Sequence, residues 1–270
     1  MQKVSGKEIS QSLIEELKTK PIPQKILAAI LVGENKASIS FLKQKQKIGE
    51  SLGIDFRIYN FSDSLTKDDL REKVERLVNQ KSVGGAIIQL PLPEGMDRYY
   101  ILNVIPKGKD IDVLGERSVG ASYSLRNLIF PPAVEAVKEI CERQKFDLKD
   151  KDVVVLGAGI VIGKPIALWA IHETNKLSVI RSGGDLGKLE TMDLVISGVG
   201  KPGLINPILL KNGASVIDFG YGEKEGKISG DLDTSDEKNL SHLNFYTPTP
   251  GGTGPIVVAK LFQNFYKLNS

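Results

Sequence analysis

The chain has 270 residues, of which 41% are hydrophobic and 26% charged, and its formal net charge is +3. That length fits one large or two medium domains, of which two is the expectation, and so small a charge, with lysines spread along the chain, gives no argument for nucleic acid, so no nucleic-acid partner is expected. The single cysteine, Cys141, excludes an internal disulfide and fits a reducing compartment; two histidines far apart, His172 and His242, leave no dedicated metal site.

The opening MQKVSGKEISQSLIEELKTK has no apolar segment followed by a small-residue cleavage site, so no secretory signal is expected. Its Ile9, Leu13, Ile14 and Leu17 are spaced for one face of an amphipathic helix. The longest apolar run, ILAAILV at 26–32, is too short to cross a bilayer, so no membrane partner and a cytoplasmic location are expected. That run reads as a strand, followed by a helix over SISFLKQKQKIGESLGI that Gly53 closes. IDFRIYNF reads as strand, SLTKDDLREKVERLVNQ as a helix capped by Ser64 or Thr66, and GGAIIQLPLP as a third strand ending in a proline-rich turn. After IPKGKDIDVLGERSVG a second series begins: helix PAVEAVKEICERQ, strand DVVVLG, a glycine loop, helix PIALWAIHETN, strand LSVIRSGG, then strands DLVISGVG and SVIDFGYG. This alternation predicts βαβ units around mostly parallel sheets, with a domain boundary near Gly120.

The glycine loop GAGIVIGKP spans 157–165. Glycine allows positive φ and close backbone approach, and a helix start offers unpaired N–H groups to a phosphate. Gly157, Ala158, Gly159, Ile160, Gly163, Lys164 and Pro165 are therefore candidate contacts of a dinucleotide. The spacing GxGxxxG is one residue longer than the usual fingerprint, so a plain strand-to-helix turn is the other reading of this stretch. A hydrolase-type phosphate loop is excluded, because Ala158 and Pro165 stand where it needs a glycine and a hydroxyl. At the end of the next strand Arg181, with Ser182 beside it, offers the donor fork that suits a 2′-phosphate and favours NADP over NAD, while Asp185 pulls the other way. Gly198, Val199 and Gly200 end the following strand and complete the candidate cofactor set.

In the first domain Phe41 and Lys45 share a helix face, Gln89 lies near the carboxyl end of a strand, and Asp110 and Asp112 lie in a loop. Each has an ordinary reading taken singly: a solvated lysine, a satisfied amide, turn carboxylates.

Together these segments resemble the bifunctional methylenetetrahydrofolate dehydrogenase/cyclohydrolases. ASISFLKQKQK at 37–47 is similar to that family's ASxxYVxxKxK; QLPLP at 89–93 is unchanged; KDIDV at 109–113 resembles KDVDG; TPTPGGTGP at 247–255 matches TPxPGGxGP. The glycine loop is similar to GxSxxVGxP, and VIDFGYG followed by GDLD at 230–233 resembles VIDVG and GDV, all in the family's order. The resemblance implies two α/β domains with an interdomain cleft, the second a Rossmann-type dinucleotide-binding domain. It implies a folate-binding catalytic domain over 1–120, an NADP-binding domain over 121–253, and a C-terminal helix over 254–270 that packs back on the first domain. It implies oxidation of 5,10-methylenetetrahydrofolate with NADP, hydrolysis of the methenyl product to 10-formyltetrahydrofolate, and a homodimer. Lys45, Gln89 and Asp112 match its catalytic residues, and Phe41, Pro250, Gly251 and Gly252 its substrate contacts. Four departures stand out: Phe41 replaces a tyrosine, Val113 a glycine, Ala133 a hydroxyl residue, and Ala158–Gly159 an Arg–Ser pair. Two other readings are a member with one step weakened and a folate or nucleotide binder without catalysis; retained Lys45, Gln89 and Asp112 favour the enzyme.

Overall fold

The computed structural model describes residues 1–270. In chain order the elements are β1 (Gln2–Lys3), α1 (Gly6–Lys18), β2 (Ile26–Val32), α2 (Lys36–Ser51), β3 (Phe56–Phe61), α3 (Lys67–Val78), β4 (Val83–Ile88), α4 (Arg98–Leu102), α5 (Glu116–Tyr123), α6 (Pro132–Arg143), β5 (Asp152–Leu156), α7 (Gly163–Ala170), β6 (Lys176–Ile180), β7 (Leu194–Ser197), β8 (Ser215–Asp218), β9 (Gly222–Lys224), β10 (Lys227–Ser229), β11 (Phe245–Tyr246) and α8 (Thr253–Asn269). They divide into two compact units, one of 13–132 with 261–270, the other of 1–12 with 133–260.

The first unit is built on a three-stranded parallel sheet ordered β3-β2-β4. Every residue of β2 is buried, because helices cover both faces of its sheet; a strand so placed is apolar throughout instead of alternating. Asn35 caps α2 by accepting from the Ser38 N–H, and Thr66 caps α3 by accepting from the Asp69 N–H at 3.1 Å. Ser64, the other expected cap, bonds Ser62 instead. The chain passes from β2 to β3 on one side and then across to β4 on the other, so the switch in direction lies between β2 and β4. In such sheets ligands gather at the carboxyl ends of the strands on either side of that switch.

The second unit is a six-stranded parallel sheet ordered β1-β11-β8-β7-β5-β6, with β9 and β10 forming a separate antiparallel hairpin. Val154, Leu156, Val195, Val216, Leu232 and Tyr246 belong to its buried core. Here the switch falls between β5 and β7, because β6 is the outer neighbour of β5 and the chain must cross back to form β7. α7 begins at Gly163, two residues before the expected helix start at Pro165.

The unit boundaries differ from those expected from sequence. Residues 1–12 group with the second unit and not with the rest of 1–120, because Gln2 and Lys3 pair with Phe245 and Tyr246 as a parallel edge strand. The division near 120 moves to 132/133, since α5 runs unbroken across Gly120. The expected 254–270 helix starts at Thr253, and only 261–270 groups with the first unit. Chemistry within α8 explains this: the Lys260 ammonium, 6% exposed, pairs with Glu139 of α6 at 2.7 Å, whereas Phe262 and Phe265 are fully buried and Phe262 packs on Phe56 of β3.

Candidate functional site

In the first unit, α2 starts directly after β2 and presents Phe41 and Lys45 one turn apart on the side of the β2/β4 switch. β4 ends at Ile88, and the next residue, Gln89, is anchored by its N–H to the Ile30 carbonyl at 2.9 Å. Its side chain then makes two bonds: Oε1 accepts from Lys45 Nζ at 3.1 Å, and Nε2 donates to the Leu90 carbonyl at 2.8 Å. An isolated parallel bridge between Ala86 and Asp110 lays the 110–112 segment along β4, which carries Asp112 toward the same strand end. The structure thus brings Lys45, Gln89 and Asp112 together, with Phe41 exposed beside them.

The electrostatics of this cluster are unusual. Burial lowers the Lys45 ammonium below its ordinary value, partly offset by the negative charge of Asp112. Burial also pushes the Asp112 carboxyl up to about 6, against the pull of Lys45 and with a further push from Asp110. No hydrogen bond from the chain acts on Asp112. A lysine whose ammonium is destabilised by burial, beside an amide and an unbonded carboxylate, can exchange a proton with a substrate and accept bonds from one.

Two further residues support this cluster, one of them, Asp110, already marked by the KDIDV segment. Asp110 is buried, accepts from the Leu114 and Gly115 N–H groups at 3.1 and 2.9 Å, and so folds the 110–115 turn. Asn264, fully buried on α8, donates to the Ile111 carbonyl at 2.9 Å and the Phe130 carbonyl at 2.8 Å, which pins the main chain between the two aspartates. The only sequence hint was its polar character within the apolar stripe of PIVVAKLFQNFYKL. Val113 keeps φ at +57°, a left-handed conformation that costs a β-branched residue strain, so the turn persists without the glycine.

In the second unit the glycine loop leaves β5 with Gly157 at φ +88°. A Cβ on Gly163 would overlap the Gly157 carbonyl oxygen, so only glycine lets α7 start this close to the strand end. Gly163 thereby does the packing that the last glycine of the shorter fingerprint does. Gly198, after β7, donates to the Leu156 carbonyl at 3.0 Å, which sets the 157–160 and 198–200 loops side by side at the switch point. Gly159 has open space around it, and Ile162, at the N-cap of α7, provides no side-chain cap. Leu156 pairs with Ile180, so Arg181 and Ser182 stand level with the start of the loop; both are exposed, and no hydrogen bond or ion pair holds the Arg181 guanidinium. At the start of α7 the Lys164 N–H donates to the Gly159 carbonyl at 2.9 Å and Pro165 has no N–H, which leaves that of Gly163; with the open backbone at Gly159 and an unpaired guanidinium it fits the diphosphate and 2′-phosphate of a dinucleotide.

The remaining predicted residues, Pro250 to Gly252, lie in the turn before α8. The Gly6 N–H donates to the Gly251 carbonyl at 2.9 Å, and Thr253 Oγ1 donates to the Asp218 carbonyl at 2.8 Å, so this turn is held from two sides. No group of His, Cys, Asp and Glu side chains is arranged to hold a metal, and no helix is long and apolar enough to cross a membrane.

Two family models match the chain: tetrahydrofolate dehydrogenase/cyclohydrolase, catalytic domain, over 4–112, and tetrahydrofolate dehydrogenase/cyclohydrolase, NAD(P)-binding domain, over 131–270. The chain is 35% identical to bifunctional protein FolD of Desulforamulus reducens, covering 98% of this chain and 95% of that protein. It is 33% identical to the protein of that name in Staphylococcus carnosus, covering 97% and 94%. Among solved structures, the bifunctional FolD methylenetetrahydrofolate dehydrogenase/cyclohydrolase of Campylobacter jejuni superposes with a TM-score of 0.92 at 32% identity, over 98% of this chain and 97% of that one. The Trypanosoma brucei N5,N10-methylenetetrahydrofolate dehydrogenase-cyclohydrolase, solved with NADP cofactor and inhibitor, gives 0.90 at 27% identity over 98% and 96%.

Proposed function

The chain belongs to the tetrahydrofolate dehydrogenase/cyclohydrolase family, and from that premise we propose that it oxidises 5,10-methylenetetrahydrofolate with NADP and hydrolyses the methenyl product to 10-formyltetrahydrofolate, a step of one-carbon metabolism. The observation that carries the reading is the Lys45 Nζ to Gln89 Oε1 bond beside an Asp112 that its own chain leaves unbonded.

Phe41 stacks on the reduced pterin; it lacks the hydroxyl of a tyrosine, so ring contact is its contribution. Asp112 accepts from the paired donors of the aminopyrimidine. In the hydrolytic step a water adds to the methenyl carbon, and Lys45, with its pKa lowered by burial, takes a proton from that water. The carbon–N5 bond breaks as N5 gains a proton, which leaves a formyl group on N10 and one proton for solvent. Gln89 accepts a hydrogen bond from Lys45 and so holds the amine in place.

The second unit serves the oxidative step by holding its cofactor: Gly157 to Ile160, Gly163 to Pro165 and Gly198 to Gly200 receive the dinucleotide, and Arg181 with Ser182 takes the 2′-phosphate in place of the side chains absent at Ala158 and Gly159. NADP, when bound, supplies the hydride acceptor. Pro250 to Gly252 bring bare backbone to the substrate. The division of labour assigns the acid–base groups to 13–132 with 261–270 and the dinucleotide contacts to 1–12 with 133–260.

Two further parts of the reading concern the chain as a whole. It works as a homodimer through the cofactor unit, supported by the unpaired edge of β6, where Val179 is exposed. It works in the cytoplasm, supported by its one buried, unpaired cysteine. Light scattering on the purified chain tests the first, and fractionation of its source cell the second.

The deciding experiment is spectrophotometric: mix the protein with methylenetetrahydrofolate and either NADP or NAD, and follow reduced cofactor, methenyl intermediate and 10-formyl product. Reduced NADP followed by 10-formyl product is the expected course. Silence with both cofactors rejects the dehydrogenase, and methenyl product that accumulates at the uncatalysed hydrolysis rate rejects the cyclohydrolase.

A further inference from the structure

Asp231 has 0% exposure, and a carboxylate in that setting is costly unless its oxygens are bonded. Its bonds all go to one short segment. Oδ2 accepts from Ser197 Oγ at 2.5 Å and from the Val199 N–H at 2.8 Å, and Oδ1 accepts from the Lys201 N–H at 2.7 Å. That segment, 197–201, runs on from the end of β7, and beyond Ser197 its bond to a strand is that of the Gly198 N–H to the Leu156 carbonyl at 3.0 Å. Its upper side faces outward: Val199 is 41% exposed, and Gly200 adopts φ +79°.

Asp231 is itself held from behind. The Ile205 N–H donates to its carbonyl at 2.8 Å, and the Leu232 N–H beside it donates to Asp218 Oδ2 at 2.9 Å. A Cβ on Gly220, just past β8, would overlap the Asp231 carboxyl. The side chain is thus a fixed template beneath a loop that lies beside the glycine loop at the sheet's switch point. It faces the underside of the loop, so its influence on anything bound above passes through the backbone of 198–200.

We propose that Asp231 is a positioning residue for the dinucleotide, setting the backbone of 197–201 in the form that receives it. The proposal rests on the reading above that 198–200 are cofactor contacts. Ordering a loop before binding removes from the binding step the entropy that a mobile loop would lose there, which is how a residue without ligand contact raises affinity. Asparagine at 231 offers one acceptor oxygen, and its NH2 group would oppose an N–H of Val199 or of Lys201. The loop then loses at least one bond and gains a repulsive donor pair.

The test is isothermal titration of NADP into the full-length wild type, Asp231→Asn and Ser197→Ala, with hydrolysis of methenyltetrahydrofolate measured on the same preparations without cofactor. The expected result for Asp231→Asn is a rise in Kd for NADP of about tenfold to a hundredfold, the range that follows from losing a hydrogen bond to a charged group. Ser197→Ala, which removes one bond and leaves the rest, raises it by roughly twofold to tenfold. Hydrolysis, whose proton-transfer group Lys45 lies in the other unit and which needs no dinucleotide, keeps its rate and its KM for folate in both. An unchanged Kd in a folded Asp231→Asn overturns the proposal. If that variant does not fold, Ser197→Ala decides: an unchanged Kd there overturns it, and a weakened one with hydrolysis intact supports it. A wild type that binds no NADP overturns the functional reading underneath, and this inference with it.

Discussion

Asp112 and Asp231 are both carboxylates set in protein, and they differ in where their bonds go. Asp231 has three donors on one loop of its own chain. Asp112 has none: burial and the charges of Lys45 and Asp110 are what act on it. Asp112 is half-buried, and a partly desolvated carboxylate without a donor carries a cost that no bond of the fold offsets. A bonded one needs no other explanation than the loop it organises. The contrast separates side chains that complete the structure from side chains left for something else to complete.

The largest effect follows from removing the amine at the unbonded end. Lys45→Met lowers cyclohydrolase kcat by about a hundredfold to ten-thousandfold, the usual contribution of a positioned proton-transfer group, and leaves the Kd for NADP unchanged. Equal losses in both measurements would erase the distinction between the two units. Next comes Arg181→Ala, which removes the exposed fork and raises the Kd for NADP by roughly tenfold to a hundredfold while barely moving that for NAD; parallel titrations of the two cofactors read the difference.

A pH profile tests the unbonded carboxylate without mutation. Asp112 must be ionised to accept from the pterin, and burial raises its carboxyl to about 6. Folate kcat/KM therefore falls about tenfold per unit below that pH, and the limb disappears in Asp112→Asn. The stability effect has the opposite sign. A carboxyl raised from an ordinary value of about 3.9 binds its proton more tightly folded than unfolded, so its contribution is favourable at acid pH and is lost as pH rises from about 4 to about 6. Denaturant titrations across that range show wild type losing stability relative to Asp112→Asn; a gain instead would mean that the carboxylate finds a donor in the folded state.

Asn264→Ala leaves the Ile111 and Phe130 carbonyls without their donor, at a cost of about 1–3 kcal/mol each if buried and unsatisfied. Urea melts should show a loss of about 2–6 kcal/mol, the two carbonyls together, accompanied by a raised KM for folate because the turn carrying Asp112 loosens. The smallest effect belongs to Val113→Gly. Release of left-handed strain gains about 1 kcal/mol, and loss of a buried valine costs about 1.5–3 kcal/mol, so the net change is a loss of about 2 kcal/mol or less. A larger loss would show that the valine side chain, more than the backbone turn, holds the segment.

Legibility in the sequence followed the range of the interactions. Continuous apolar runs gave β2, β4 and β5, because a strand buried on both faces has no polar side to show. Lys45 and Gln89 stand out because each sits at a fixed offset from the element that presents it: one turn past Phe41 on a helix, one residue past a strand. β1 did not stand out, since Gln2 and Lys3 are a strand only by pairing with Phe245 and Tyr246 across the whole chain. Asn264 was likewise silent, as its two acceptors are more than a hundred residues away. Asp231 was visible only as part of GDLD, with nothing local to say that its oxygens face Ser197, Val199 and Lys201.

The sequence alone determined the parallel α/β class, the two-series organisation, the glycine loop and the residue types available for proton transfer and phosphate recognition, because these depend on periodicity and on neighbours a few positions apart. Only the tertiary structure decided which unit the first residues join, that α8 contributes to both units, and which carboxylates are bonded and which are left open. Those outcomes depend on pairings between segments far apart in the chain, where burial sets the charge state of a side chain and no local pattern encodes its partner.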